Sequence, residues 1–127
     1  MNRLIAIAAC AWPLAAWSCG VCDEDKIAAT FDHSTVARAA SMRHHVVFVA
    51  VEGPVEPATF ARRVAQIAPR IRGVMRGTVR TSEAPVTFSF VIDPALQPAA
   101  SAVAELHRQL GPVPTLRILK ITPGQHS

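Results

Sequence analysis

Val46-Val47-Phe48-Val49-Ala50-Val51 is an unbroken apolar run, rich in β-branched residues and bounded by Glu52-Gly53-Pro54. So short a run between turn residues reads as a β-strand, and the lack of polar alternation makes it a central strand covered on at least one face. The rest of the chain must therefore supply flanking strands and an apolar cover.

Downstream segments fit that need. From Pro57 to Ala68 the apolar residues Phe60, Val64, Ile67 and Ala68 fall on one side and Arg62 and Arg63 elsewhere, which predicts an amphipathic helix. Gly73 breaks the chain, and from Val74 to Thr81 Met75, Gly77 and Val79 alternate with Arg76, Thr78 and Arg80, the pattern of a half-exposed strand. After a turn at Ser82 to Pro85, Val86, Phe88, Phe90 and Ile92 alternate with Thr87 and Ser89 in a second strand. Asp93-Pro94 ends it; Ala102, Val103, Leu106 and Leu110 form a helical stripe ending near Gly111, and Thr115 to Ile121 is a last strand. The order βαββαβ over residues 43–122 predicts an α+β fold of ferredoxin-like type, a four-stranded antiparallel sheet with two helices on one face.

Upstream, Asp23-Glu24-Asp25 places acids where a helix N-terminus favours them, and Ile27, Phe31, Val36, Ala39 and Ala40 continue an approximately helical face. This predicts one extra helix over 24–41, within a segment 19–42, covering the sheet's other face or an edge. The tail, 123–127, reads as disordered.

Residues 1–18 have the parts of a secretory signal: Arg3, the apolar stretch Leu4 to Trp17, and small Ala16 and Ser18 around a processing point. The stretch is about 14 residues and contains Pro13, whereas a spanning helix needs roughly 20, so no permanent membrane span is expected. Export to a bacterial periplasm follows as an expectation, with cleavage after Ser18 or Ala16. Cys10 leaves with the leader, and Cys19-Gly20-Val21-Cys22 then opens the mature chain. A lipid on Cys19 fits poorly, because Trp17 is bulky for a lipobox.

The formal net charge of +4 is mild and does not imply nucleic acid as a partner. Its placement is uneven: Arg62, Arg63, Arg70, Arg72, Arg76 and Arg80 lie between Glu56 and Glu83 with no acid among them. That stretch is either a solvated face or a surface for an anionic partner.

From Val46 to Gly111 the chain resembles the heavy-metal-associated domain of copper chaperones and metal-exporting ATPases. The likeness lies in the apolar strand ending at Gly53, the helix after it, Gly73-Val74 leading into a strand, and Val91-Ile92-Asp93-Pro94-Ala95 before the second helix. The resemblance implies the fold. The family's C-x-x-C falls in the loop after the first strand, and there this chain has Glu56 and Thr59.

Cys19 and Cys22 are the candidate replacements, a relocated site for Cu(I) or Zn with His33, His44 and His45 as further ligands; soft thiolates suit Cu(I), and imidazole suits either ion. A C-x-x-C pair in an oxidising compartment is equally a disulfide clip or a redox couple. Nucleophile-elbow glycines, H-E-x-x-H and phosphate-cradling loops do not occur, and no catalytic role is expected. The expectation is thus an exported metal-handling protein with a protein or metal-donor partner; the alternatives are an interaction module with a disulfide clip and a thiol–disulfide protein. Nothing in the pattern fixes an oligomeric state.

Overall fold

A computed structural model describes residues 22–123. The expected leader with its cleavage points, Cys10 and Cys19 lie outside the described residues, as do residues 124–127 of the expected tail.

The long apolar run becomes β1, His45–Glu52, and lies inside a four-stranded antiparallel sheet. With β2 at Arg80–Glu83, β3 at Val86–Ile92 and β4 at Thr115–Thr122, the strand order is β2-β3-β1-β4. β1 pairs Val47 with Phe90 on one side and Ile121 on the other, with a register shift against β4 between Phe48 and Val49. The architecture is α+β.

Alternation along β1 divides its side chains between two cores, so the strand is buried on both faces. Val47 and Val49 join Phe88, Phe90 and Ile92 beneath two helices, Pro57–Ile67 and Ala99–Leu110, which contribute Phe60, Val64, Ala102, Val103, Leu106 and Leu110. Val46, Phe48 and Val91 point the other way into a smaller cluster with Ala39, Ile27, Val36, Met75 and Leu119. The N-terminal segment thus covers the second face of the sheet.

That segment is not the single helix predicted over 24–41. It is α1, Asp23–Ala28, and α2, His33–Ser41. The break falls where Asp32, in extended conformation, caps α2 by accepting from the Ser34 amide at 3.2 Å and the Thr35 hydroxyl at 2.6 Å. The carboxylate satisfies a backbone donor that the start of α2 leaves without a helical carbonyl. Phe31, freed from helical direction, stacks on Phe48 with ring centroids 6.0 Å apart. The Pro57–Ile67 helix is α3, continued by a short 3-10 turn at Ala68–Arg70, and Ala99–Leu110 is α4.

The strand predicted over 74–81 is also corrected. Only its end survives in β2; Val74 makes one isolated bridge with Ile92, and residues 75–79 are irregular. Gly77 has φ +76°, a left-handed value that breaks strand geometry where alternation alone implied continuity. Thr78 then puts its side chain where a neighbouring strand would lie: its hydroxyl donates to Met75 O at 2.6 Å and accepts from the Val91 amide at 3.0 Å.

Among the described residues no helix is long and apolar enough to cross a membrane.

Candidate functional site

Cys22 is exposed, and its thiol donates to Asp25 Oδ2 at 3.1 Å at the start of α1; its expected partner Cys19 lies outside the described residues. Of the histidines, His33 is exposed at the first residue of α2, edge-to-face with Phe31 at 4.8 Å between centroids. His45 opens β1 opposite Ile92. His44 is buried, with Nε2 3.8 Å from Asp93 Oδ2. Among the described residues, no three of His, Cys, Asp and Glu converge as a group able to hold a metal ion.

The loop after β1, where the resemblance places a metal site, has another occupation. Glu56 caps α3, accepting from the Thr59 amide at 2.6 Å and the Ala58 amide at 3.4 Å. Hydrogen bonds from Thr59, with its hydroxyl foremost, and from Ala58 hold the Glu56 carboxyl below its ordinary value. It serves the helix end.

Between α2 and residues 75–80 lies a cavity of about 190 Å³ into which the structure brings Arg38, Arg76 and Arg80. Arg80 is fixed in place: Nη1 donates to Gly77 O at 3.1 Å and Val79 O at 3.2 Å, and Nη2 lies 3.8 Å from Asp32 Oδ2. Asp32 is held below its ordinary pKa chiefly by the Thr35 and Ser34 hydroxyls, with a smaller contribution from Arg80. Among the described residues, Arg38 and Arg76 have no ionic partner. The rest of the lining is mixed, with apolar Ala39, Met42, Met75 and Val91 beside the Thr35 hydroxyl and the His44 ring.

Two backbone features shape these walls. At the C-terminus of α2, the His44 amide bonds to Ala39 O at 2.8 Å and the Arg43 amide to Ala40 O at 3.2 Å, while Arg43 takes φ 58°. This is a Schellman ending with arginine in the left-handed place that glycine usually fills, and it turns the chain so that Met42 and His44 both reach the cavity. On the facing wall, the Thr78 bridge holds the 75–80 excursion against β3.

Arg38, Arg76 and Arg80 line one small cavity, where an anion would accept charge-assisted hydrogen bonds from them. Of the arginine-rich stretch noted in the sequence, only Arg76 and Arg80 belong here. Arg63 lines a separate shallow groove with Glu56 and Pro114, Arg62 points to Thr59 on α3, and Arg70 and Arg72 follow α3. Sequence reasoning missed Arg38. Its signal was the helical stripe Thr35, Arg38, Ala39, Met42, at positions i, i+3, i+4 and i+7, all of which line the cavity. No family model matches the chain, and comparison with curated proteins and with solved structures found no significant match.

Proposed function

We propose that this chain is a non-catalytic binding module whose ligand carries an anionic group, taken up between α2 and the 75–80 excursion. The observation that carries this reading is the convergence of Arg38 with Arg76 and Arg80, residues far apart in sequence, on one cavity. Their only ionic partner among the described residues is Asp32, whose carboxylate is already engaged as the cap of α2. A ferredoxin-like body is the scaffold we infer, supported by the order β2-β3-β1-β4 with α3 after β1 and α4 after β3. Anion recognition is the specific form we give to the interaction-module alternative. We prefer it to metal handling because, among the described residues, no three of His, Cys, Asp and Glu form a group able to hold a metal ion.

The test is an NMR titration of the full chain with inorganic phosphate and with acetate, beside an Arg38→Ala, Arg76→Ala variant. Both arginines are exposed, so the double variant is expected to fold. Saturable amide shifts should centre on Thr35, Ala39, Gly77 and Thr78, and the variant should bind about tenfold or more weakly, the loss expected from removing charge-assisted hydrogen bonds. Raising the ionic strength should weaken binding further. Shifts centred on Arg62 and Arg63, or binding unchanged in the variant, would overturn the reading.

A further inference from the structure

The cavity lining combines arginines with apolar Ala39, Met42, Met75 and Val91, and this mixture says more about the ligand than its charge does. Ala39 and Val91 are buried, at 3% and 4% exposure, whereas Met42 is 53% exposed and stands at the mouth. A hydrated inorganic anion gains nothing from Ala39, Met42, Met75 and Val91, and leaves that wall in contact with water. A ligand with an apolar tail displaces that water and gains the transfer free energy of each methylene it buries. Methionine, unbranched and polarisable, accommodates tails of differing shape. The volume, about 190 Å³, is below the usual range of roughly 300–1,000 Å³ for larger small-molecule sites, which limits the tail to a few carbons.

Resting on the anion-binding reading above, we infer that the ligand is a short-chain free organic acid, its carboxylate held by Arg38, Arg76 and Arg80 and its tail lying on Met42, Met75 and Val91. Of the acidic groups near the site, Asp32 pairs with Arg80 at 3.8 Å, and among the described residues Arg38 and Arg76 have no ionic partner. Asp32 is engaged with Ser34 and Thr35, and Asp93 accepts from the Ala95 amide at 3.0 Å while facing His44.

The experiment titrates the full chain with acetate, butyrate and hexanoate, with inorganic phosphate as the tail-less anion. Affinity should rise about fourfold for each methylene buried, the factor equivalent to about 0.8 kcal/mol, until the cavity is filled. Met42→Gln, at an exposed position, should flatten the series. Acetate binding that depends on Arg38, with hexanoate no tighter, would leave the anion site standing and overturn the organic-acid inference. Failure of every anion to bind would remove the reading beneath it. An N-acetylated peptide ending in leucine presents the same head and tail on a polypeptide; if it binds more tightly than hexanoate, the ligand is a protein C-terminus and the free-acid inference falls.

Discussion

Asp32 performs three tasks at once: it caps α2, orders the Ser34 and Thr35 side chains, and stands 3.8 Å from Arg80. Its folded-state pKa is lowered from the ordinary 3.8, so its stabilising contribution is complete above that value and is lost as pH falls through the lower folded value. Asp32→Asn keeps an acceptor for the cap but cannot titrate. The loss of stability between pH 6 and pH 3, read from urea midpoints, should therefore be smaller in Asp32→Asn than in the parent; an equal loss in both would assign the acid sensitivity to other carboxyls. In the sequence, the apolar spacing of Ile27, Phe31 and Val36 carries one helix through Asp32. The structure instead breaks the helix at Asp32, which caps α2, and stacks Phe31 on Phe48.

At the scale of elements, alternation identified β3 and the run of valines identified β1, because both patterns follow from strand geometry alone. Alternation failed at residues 74–79. The same residues satisfy a strand pattern, yet Gly77 adopts a left-handed φ and a side chain replaces one rung of the ladder. Thr78→Val keeps the shape and removes the hydroxyl, leaving the amide of buried Val91 without its acceptor; the expected cost is about 1–3 kcal/mol in denaturant unfolding. Hydrogen exchange at the Val91 amide should quicken in step, and an unchanged rate there would mean the bridge contributes little. This rung also holds one wall of the cavity, so a local substitution for a strand hydrogen bond helps to form the site.

In the whole molecule, helices lie on both faces of one sheet, and the two cores differ. The main core is large and aromatic, while the second rests on Phe48, Val46 and Val91 under the N-terminal helices. An outer tie, Arg117 donating to Glu52 Oε1 at 2.6 Å and to the Asp23 carboxylate at 2.9 and 3.1 Å, secures α1 at the sheet's edge, and such exposed pairs are individually weak. Packing must therefore hold the segment. Phe48→Ala should cost about 3–5 kcal/mol and release residues 22–43 before the rest, detected as early loss of exchange protection there together with weakened anion binding. Uniform loss across the chain would mean that both faces unfold as one unit. Thr87 and Ser89 belong to the same comparison: their alternation with Phe88 and Phe90 reads as an outward polar face, but both are buried beneath the N-terminal segment, and the Ser89 hydroxyl donates to Thr30 O at 3.4 Å. By itself the sequence determined the strands β1, β3 and β4, the helices α3 and α4 and the α+β class, since periodicity and turn residues act over a few positions. Only the tertiary structure decided that the N-terminal segment covers the second face and that Arg38 lines one cavity with Arg76 and Arg80, because those placements bring together residues tens of positions apart and depend on how the whole sheet is covered.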